Sequence, residues 1–561
     1  MSQSKLILDY VFEHARNLGN QVCMTQPIGN GKVAEYSWAQ ILDQALRMAA
    51  HLQSLNFEPG ARIAILSKNC AHFMIAELAI WLSNGTTVAI FPTETAETVR
   101  YVLEHSGASL LFVGKLDTWT EQQSAVRLSL PCISFPLAPK TAFPSWDDIV
   151  QRTKPSLNPA QRVGSDLAMI IYTSGSTGQP KGVMHCFEAI TRAAEGIAKC
   201  VRDGIGPGTP LRMLSYLPLA HVVERAWVEC ASFIHGDIKL YFAETLESFL
   251  TDLRRSRPTV FVSVPRLWLK FQQGAHKKMP ERKLALLLSL PIIGKIVGRR
   301  VLEGLGLDHV RMAGSGSAPI ATPLIQWYRK LGLNLLEGYG MSEDFAYSNS
   351  SAAAGNSVPG FVGTALSGVL TRISDEGEIL IKSPGKFVGY YQQMDLYAES
   401  FDPDGYFCTG DLGELRADGL LKITGRKKDL FKTGKGKYVA PAPIENHLNT
   451  CPVIEASMVS GVGQQAPYAL VVIAEDLRPG LNDPKVRDEI TETLKKLLAD
   501  VNKSLADYEQ LHKIVVANVP FSIANGCLTP TLKIKRNRIE ALVAPKLDAW
   551  YREPDAIVWA K

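Results

Sequence analysis

The chain has 561 residues, of which 46% are hydrophobic and 20% are charged, as in globular proteins with a large core. Its net charge of +5 is small for this length; it suits anionic ligands, and we expect no nucleic-acid partner. The nine cysteines are scattered without a C-x-x-C pair, which argues against a zinc site or a disulfide framework and favours a reduced, cytoplasmic setting. The first residues lack the apolar stretch of a signal peptide, and no uncharged apolar run reaches the ~18 residues of a membrane span.

Helical and extended patterns alternate from residue 36 to about residue 114. Alternation of this kind is typical of a mostly parallel sheet with helices on both faces. Residues 136–165 follow, are rich in Pro, Ser and Thr, and are predicted to be a surface connection. The predicted helices are 38–55, 73–83 and 99–106, and the predicted strands are 62–66, 87–91 and 110–113.

Residues 167–183 combine an apolar strand at 167–171, a loop of Gly, Ser and Thr, and a helical pattern from about His185. This order is typical of a phosphate-binding loop, since glycines let backbone N–H groups point at an anion and Lys181 supplies a cation. The spacing differs from that of a P-loop and from that of a nucleophile elbow. An ordinary flexible loop is the alternative. The loop residues are Thr173, Ser174, Gly175, Ser176, Thr177 and Gly178.

A second α/β series is predicted at 211–264, and a segment of different character follows at 279–306. That segment joins an apolar run to five basic residues, which is typical of an amphipathic segment at an anionic membrane surface. The alternative is a pair of helices, split by Pro291 and packed on the domain. The basic residues are Arg282, Lys283, Lys295, Arg299 and Arg300.

The C-terminal part begins with a β-rich stretch at 378–424 and a basic, Gly-rich segment at 425–439. A small α+β pattern follows, with helices at 441–449 and 484–505 and strands at 455–461, 468–473 and 513–517. We predict a domain boundary at residue 426, which gives domains 1–426 and 427–561. The predicted fold is therefore α/β: a large N-terminal domain of stacked α/β sheets with a β-rich subdomain, and a small mobile α+β C-terminal domain.

The loop at 167–183 resembles the signature loop of the AMP-forming adenylating enzymes, a superfamily that includes acyl-CoA synthetases, peptide-synthetase adenylation domains and luciferases. Five further segments resemble motifs of this superfamily in the same order, so the resemblance extends from about residue 36 to residue 540. These segments are the Gly/Ser turn 314–319, the Gly-Tyr-Gly-Met-Ser-Glu segment 338–343, the Thr-Gly-Asp segment 406–411, the basic segment 425–429 and the C-terminal segment 528–536.

The resemblance implies a nucleotide site with a role for each motif. Tyr339 would lie against the adenine, Ser342 would reach the α-phosphate, and Asp411 and Arg426 would contact the ribose hydroxyls. Glu343 would bind Mg²⁺, an ion that takes one or two carboxylates together with phosphate oxygens. The implied ATP- or AMP-binding residues are Thr173, Ser174, Gly175, Ser176, Thr177, Gly178, Lys181, Gly314, Ser315, Gly316, Ser317, Ala318, Pro319, Gly338, Tyr339, Gly340, Met341, Asp411 and Arg426.

Lys533 is implied to be the catalytic lysine, and Lys428 to be the hinge between the two domains. This sequence lacks the glycine that usually precedes the catalytic lysine, and its Thr-Pro-Thr-x-Lys form resembles the long-chain fatty acid branch. A solvated basic strand is the alternative for Lys533. The segment 432–438 is predicted to meet the phosphates of CoA, with a solvated basic turn as the alternative; its residues are Lys432, Lys435, Gly436 and Lys437.

The implied activity is ATP-dependent activation of a carboxylic acid to an acyl adenylate, followed by transfer to CoA. Residues 217–227 resemble the acyl-site segment of long-chain fatty acyl-CoA synthetases, so the expected substrate is a fatty acid, with His221 beside its carboxyl group. A histidine at a helix start is also a common structural residue. Transfer to a carrier protein, a luciferase-like oxidative role and a non-catalytic nucleotide- or acyl-binding protein are the alternatives. The sequence does not indicate the oligomeric state.

Overall fold

The computed structural model describes residues 5–173, 179–352, 357–529 and 532–560. The chain divides into two compact units, a larger N-terminal one and a smaller C-terminal one. This mixed α/β architecture confirms the predicted fold class, whereas the boundary at residue 426 stays a prediction. The first unit comprises Met1–Ala318, Ile325–Thr371 and Ile381–Phe407, and the second comprises Pro319–Leu324, Arg372–Leu380 and Cys408–Lys561.

The largest sheet of the first unit has seven strands. Five adjacent strands, from Leu167–Thr173 to Cys132–Ser134, are parallel, as the alternation of elements in the sequence predicts. Two further strands extend the sheet beyond Leu167–Thr173 through antiparallel pairing. Nearly every side chain of the parallel strands is buried, because helices cover such sheets on both faces. In spatial order the strands are Gly389–Tyr390, Lys181–Cys186, Leu167–Thr173, Thr86–Ile90, Arg62–Leu66, Leu110–Val113 and Cys132–Ser134.

The helix predicted from about His185 is present, but a strand that was not predicted separates it from the loop. Residues Lys181–Cys186 form a strand that pairs antiparallel with Leu167–Thr173, and the helix begins only at Phe187. The apolar spacing that indicated a helix belongs to residues 187–197, whereas the strand is stabilised by hydrogen bonds to a partner on the other side of the loop. The loop therefore joins two strands of a hairpin, and no helix N-terminus follows it directly.

The predicted surface connection at 136–165 is also only partly correct. It contains the helix Trp146–Arg152, whose N-terminus is capped by the Ser145 hydroxyl. Trp146 is fully buried and packs its ring against Phe112 and Phe135. Trp146 and the buried Ile149 thus anchor this segment to the core, because large apolar side chains gain most from burial.

The first unit contains two further sheets. In one, strands Val33–Ser37, Val22–Pro27, Ile238–Phe242 and Leu211–Ser215 lie in this order. The other begins with three parallel strands, Val260–Ser263, Met312–Ser315 and Leu335–Tyr339, followed by the short antiparallel strands Asn349–Ser350 and Thr364–Ala365.

The helix Ala71–Leu82 is the centre of the first unit, since all twelve of its residues are buried. It carries one charged residue, Glu77, whose side chain is completely buried. No helix within the described ranges is both long and apolar enough to cross a membrane. The other α-helices up to residue 399 are Ile7–Asn17, Trp38–Ser54, Ala96–Ser106, Trp119–Gln122, Trp146–Arg152, Phe187–Ile205, Val222–Glu224, Ala231–Ile234, Phe249–Ser256, Pro265–Lys278, Glu281–Ser289, Pro291–Leu305, Thr322–Lys330 and Met394–Glu399.

The C-terminal part contains a mixed sheet of strands Ile454–Ser460, Tyr468–Ile473, Lys513–Val516 and Ile557–Trp559. Helices Pro441–Leu448 and Pro484–Lys503 contribute to the apolar cluster on one face, and Ile539 and Trp550 contribute to a cluster on the other. The remaining helices are Arg536–Val543 and Leu547–Arg552. A second sheet contains Leu370–Ile373, Glu378–Lys382, Phe407–Leu415 and Leu421–Arg426, and a two-stranded hairpin contains Phe431–Lys432 and Tyr438–Val439.

Candidate functional site

The two glycine-containing turns of the first unit lie next to each other. They follow the parallel strands Met312–Ser315 and Leu335–Tyr339, in which Ser315 pairs with Glu337. A Cβ atom on Gly316 would lie 3.6 Å from the carbonyl oxygen of Gly338, so the turns approach each other closely. Ligands of open α/β sheets bind at the carboxyl ends of such strands. Of the predicted nucleotide-binding residues in these turns, Gly314, Ser315, Gly316, Ser317, Gly338, Tyr339, Gly340 and Met341 are at least partly buried, and Ala318 and Pro319 are exposed.

Ser342 and Glu343 lie on a single helical turn, Ser342–Asp344, that buried groups hold in place. The Asp344 carboxylate accepts hydrogen bonds from the backbone N–H of Met341 at 2.9 Å and of Tyr347 at 3.3 Å. A Cβ atom on Gly340 would lie 2.8 Å from Cα of Ala346, so the turn has room only for glycine there. The two predicted site residues are therefore presented on a rigid support.

His185 supports the same turn from the neighbouring strand. Its Nε2 donates a hydrogen bond to the carbonyl oxygen of Ser342 at 2.8 Å, and its ring packs against Phe345. The side chain is fully buried, and this burial lowers the pKa of His185 to about 4, so the imidazole is neutral at physiological pH. From the sequence, His185 was predicted only to start a helix; the signal for its role is a polar residue at a buried position of a strand.

Lys181 and Glu343 both interact with Tyr390. The Tyr390 hydroxyl donates to Oε1 of Glu343 at 2.9 Å, and Nζ of Lys181 lies 5.5 Å from the centre of the Tyr390 ring. Tyr390 reaches this position because strand Gly389–Tyr390 pairs with the strand that begins at Lys181. The structure thus brings together one cation, one carboxylate and one phenol from three distant parts of the sequence. Tyr390 was not predicted from the sequence, in which its only signal is an aromatic pair after a glycine.

The donor set around Glu343 fits a magnesium ion bound together with a nucleotide. Among the described residues, no group of three or more His, Cys, Asp or Glu side chains is placed to hold a metal ion by itself. Mg²⁺ in nucleotide sites takes one or two carboxylates and completes its shell with phosphate oxygens and water. Glu343 would supply the carboxylate, and Tyr390 would orient it. Thr173 and Lys181 pair across the hairpin beside this group, and Ser174, Gly175, Ser176, Thr177 and Gly178 lie outside the described residues.

We expect Tyr390→Phe to weaken the site without unfolding the protein. The change removes the hydrogen bond to Glu343 and keeps the ring, which packs against Phe387. A lost hydrogen bond to a charged group costs about 1.5–3 kcal/mol, so the Mg²⁺ concentration for half-maximal activity should rise about tenfold or more. Tyr391→Phe is the matched control, because the Tyr391 hydroxyl interacts with the carbonyl of Ser106 instead. An unchanged Mg²⁺ requirement in Tyr390→Phe would contradict this assignment.

His221 caps the helix that begins at Val222. Its Nδ1 accepts a hydrogen bond from the backbone N–H of Val223 at 3.3 Å, and its ring meets Phe91 edge to face. Nδ1 as acceptor places the proton of a neutral ring on Nε2, which can then donate to a carboxylate. The predicted role beside a substrate carboxyl group and the observed capping role are therefore compatible.

A buried polar network holds the turn that precedes His221. Oε1 of Glu224 accepts from the Ser215 hydroxyl at 2.6 Å, from the Tyr216 N–H at 3.1 Å and from the Asn69 amide at 3.1 Å. The Asn69 oxygen accepts from the N–H of Leu219 at 3.0 Å. Burial raises the pKa of Glu224 to about 8. The roles of these residues were not predicted from the sequence, in which the only signal is an acid directly after the apolar pair Val222 and Val223.

The stability of the protein should depend on pH through Glu224. Because its pKa rises from 4.5 in the unfolded chain to about 8 in the fold, the stabilising contribution is complete below pH 4.5 and is lost as the pH rises to about 8. In Glu224→Gln the amide oxygen can keep the three donors while the ionisation disappears. We expect the unfolding free energy of this variant to gain about 2 kcal/mol over the wild type between pH 6 and pH 8. Urea unfolding at both pH values tests this; a constant difference, as expected for the exposed Glu121→Gln, would contradict it.

Arg225 follows Glu224 and forms a second buried cluster with Glu77 and Glu229. All three side chains are fully buried, and Nη1 of Arg225 donates to both carboxylate oxygens of Glu77. Burial and the nearby Glu77 raise the pKa of Glu229 well above its usual value, so a protonated Glu229 leaves Arg225 and Glu77 as a neutral pair.

The helix that carries Arg225 widens to a π-helical turn over Arg225–Cys230, a feature that is frequent at functional sites. Trp227 then reaches the carbonyl of Ala346 at 3.0 Å, which connects this helix to the turn that carries Glu343.

In the second unit, Asp411 and Arg426 lie directly opposite each other on neighbouring strands. Nε of Arg426 donates to Oδ1 of Asp411 at 2.9 Å. Gly410 adopts φ +73°, and its N–H donates to the Glu378 carboxylate at 2.8 Å. The structure therefore brings together the two residues that were predicted to contact the ribose.

The predicted CoA-binding residues form the tip of a short hairpin, the lysine hairpin, whose strands are Phe431–Lys432 and Tyr438–Val439. Gly436 has φ +79° and closes the turn, and its N–H donates to the carbonyl of Thr433. Lys432, Lys435 and Lys437 are all exposed. Lys428 is also exposed and lies in the turn between strand Leu421–Arg426 and this hairpin.

Lys533 is joined to Thr529 by two hydrogen bonds. Its backbone N–H donates to the Thr529 hydroxyl at 3.0 Å, its carbonyl accepts from the Thr529 N–H at 2.8 Å, and its side chain is exposed. The preceding Leu532 has φ +61°, a conformation that favours glycine. Position 532, where the related motif usually has glycine, therefore has a left-handed backbone conformation although it is a leucine in this chain.

Comparison with known families identifies both parts of the chain. The family model of AMP-binding enzymes matches residues 11–391, and that of the AMP-binding enzyme C-terminal domain matches residues 428–555. The long-chain-fatty-acid–CoA ligase FadD15 of Mycobacterium bovis is 30% identical, with 97% of this chain and 96% of the relative covered. The human long-chain-fatty-acid–CoA ligase 1 is 27% identical, with 92% of this chain and 82% of the relative covered.

Solved structures show the same fold. The A domain of a carboxylic acid reductase from Segniliparus rugosus, in complex with AMP and a co-purified carboxylic acid, has a TM-score of 0.80 and 21% identity, over 97% of this chain and 93% of that one. ATP-bound MatB from Rhodopseudomonas palustris has a TM-score of 0.73 and 22% identity, over 96% of this chain and 98% of that one. The chain belongs to the family of AMP-binding enzymes.

Proposed function

We propose that this protein activates a fatty acid with ATP to an acyl adenylate and then transfers the acyl group to CoA. The observation that carries this proposal is the group formed by Lys181, Tyr390 and Glu343 beside two glycine turns at the ends of parallel strands. A lysine and a carboxylate able to bind Mg²⁺, both beside one phenol, suit the binding of a triphosphate. They do not suit hydride transfer or the formation of an acyl-enzyme. Membership of the AMP-binding enzymes and the names of the relatives support the same reaction.

In the first step, a carboxylate oxygen of the acid would bond to the α-phosphorus as the bond to the bridging oxygen breaks, which releases pyrophosphate. Both reactants are anionic, so the protein must screen their charges and align them. We assign Lys181, Ser342, Lys533 and the donors of residues 173–178 to this task. Mg²⁺, held by Glu343 and the phosphates, supplies further neutralisation of charge when it is bound. Asp411 and Arg426 would hold the ribose, and the turns at Gly316 and Gly338 would receive the adenine.

In the second step, the thiol sulfur of CoA would bond to the acyl carbon, and AMP would leave as the carbon–oxygen bond breaks. The exposed charges of Lys432, Lys435 and Lys437 suit the phosphates of CoA. We propose that the domain 427–561 turns about Lys428 between the two steps.

We further propose that the acid is a long-chain fatty acid, with the Nε2–H of His221 directed at its carboxylate. The relatives are named for long-chain fatty acids, and Nδ1 of His221 accepts from a backbone N–H, which places the proton of a neutral ring on Nε2. All nine cysteines are free thiols, which supports our placement of the protein in the cytoplasm.

The test is acid-dependent exchange between ATP and pyrophosphate, measured first without CoA over a series of fatty acid chain lengths. CoA is then added and the thioester is quantified. Exchange followed by acyl-CoA formation supports the proposal and identifies the preferred acid. Exchange without a thioester would point to a carrier protein as acceptor, and no exchange with any acid would leave a binding protein and overturn the proposal.

A further inference from the structure

Two consecutive helices, Glu281–Ser289 and Pro291–Leu305, form a surface hairpin that exposes large apolar side chains. Leu290 joins the helices, so Pro291 splits them as predicted. We call the exposed apolar residues around the turn of this hairpin the aliphatic tip. It consists of Leu286 (66% exposed), Leu290 (40%), Ile292 (76%), Ile293 (47%) and Ile296 (52%).

The fold fixes this exposure through two glycines on the opposite side of the second helix. A Cβ atom on Gly294 would lie 2.5 Å from the carbonyl oxygen of Leu288, and one on Gly298 would lie 2.7 Å from that of Leu331. The helix therefore packs its glycine side tightly inward, together with the buried Leu302. At 100° per residue, Ile292 and Ile296 then point away from the protein. The helix cannot turn to bury its isoleucines without separating these close backbone contacts.

Basic residues surround the aliphatic tip. Arg282 and Lys283 lie at the start of the first helix, and Lys295, Arg299 and Arg300 continue the outward face of the second; all five are exposed. The hairpin carries only two acidic residues, Glu281 and Glu303, and Glu303 pairs with Arg299 at 3.2 Å. The preceding helix ends with the exposed residues Lys277 and Lys278. The surface is thus apolar at its tip and strongly positive around it.

We propose that this hairpin binds the surface of an anionic lipid bilayer. Aliphatic side chains of this size enter the boundary between head groups and acyl chains, while long basic side chains reach the anionic head groups. Five exposed aliphatic side chains and seven exposed basic ones complement such a surface in both polarity and charge. The charge complementarity and the aliphatic tip therefore select a bilayer over a protein partner. This inference does not depend on the reaction of the protein.

Flotation with vesicles tests the proposal, using vesicles of phosphatidylcholine with phosphatidylglycerol and vesicles of phosphatidylcholine alone. We expect the full-length protein to bind the anionic vesicles about tenfold more strongly or better, and to lose this preference at high salt. Arg299→Glu/Arg300→Glu should lower binding to anionic vesicles about tenfold or more. Ile292→Ser/Ile293→Ser/Ile296→Ser should lower binding to both kinds of vesicle.

Matched controls change similar residues elsewhere on the first unit. Leu128→Ser/Leu157→Ser removes two leucines that are 107% and 92% exposed, and Lys140→Glu/Arg152→Glu reverses two exposed charges. Both control variants should float like the wild type, and circular dichroism should show that all variants are folded. The proposal is overturned if the wild type does not bind anionic vesicles, or if both hairpin variants bind them normally. It is also overturned if sedimentation shows a dimer that the isoleucine variant dissociates while vesicles bind neither protein.

Discussion

Lys533→Ala should lower acid-dependent exchange between ATP and pyrophosphate by about 10²–10³-fold, because in the role that we propose for Lys533 its positive charge stabilises the developing negative charge. The side chain is exposed and its backbone bonds remain, so the protein should stay folded. Lys535→Ala is the matched control: this lysine is also exposed, lies two residues away and should leave exchange near the wild-type rate.

The second half-reaction provides an independent check of Lys533. When synthetic acyl adenylate and CoA are supplied, thioester formation by Lys533→Ala should be much closer to the wild-type rate, since we assign the lysine only to the first step. Equal losses in Lys533→Ala and Lys535→Ala would indicate a general effect of basic charge. Equal losses in both half-reactions would remove Lys533 from its specific role.

The second large effect concerns stability, and it is expected at Arg225. Arg225→Met leaves the Glu77 carboxylate buried without its cation, which typically costs about 3–5 kcal/mol. Arg192→Met is the matched control, because Arg192 makes an exposed ion pair with Glu188 that should contribute at most about 1 kcal/mol. Urea unfolding followed by fluorescence compares the two variants.

A compensating variant distinguishes loss of the pair from loss of packing. Glu77→Leu/Arg225→Met/Glu229→Leu removes all three charges together and should recover most of the stability, because apolar residues of similar volume often replace a buried ion pair at little cost. If Arg225→Met is no less stable than Arg192→Met, the cluster is not important for stability. If the triple variant is as unstable as the single one, the cause is packing rather than an unpaired charge.

Local patterns in the sequence predicted many elements closely. Strands Arg62–Leu66, Leu110–Val113 and Tyr468–Ile473 have the predicted bounds, since short apolar runs between turn residues are already decisive there. The strand Lys181–Cys186 was missed for the opposite reason. Its state depends on pairing with residues on the far side of a loop, and the adjoining helical pattern concealed it.

The supporting residues of the candidate site could not be predicted, because their partners are distant in the chain. His185 meets Ser342 across 157 residues, and Arg225 meets Glu77 across 148. A buried charge in an apolar helix signals that a partner exists, but it does not identify that partner. Tyr390 had no such signal, and only the pairing of its strand beside Lys181 places it at Glu343.

The sequence by itself determined the order of the motifs and the chemical types at each position: a cation at Lys181, a carboxylate at Glu343, and a lysine at position 533. These follow from residue identity and spacing, which are local. The tertiary structure decided which of these groups meet and which face of each helix is exposed. Burial and backbone pairing decide both, as in the hairpin 281–305, where the close packing of Gly294 and Gly298 turns the isoleucines outward.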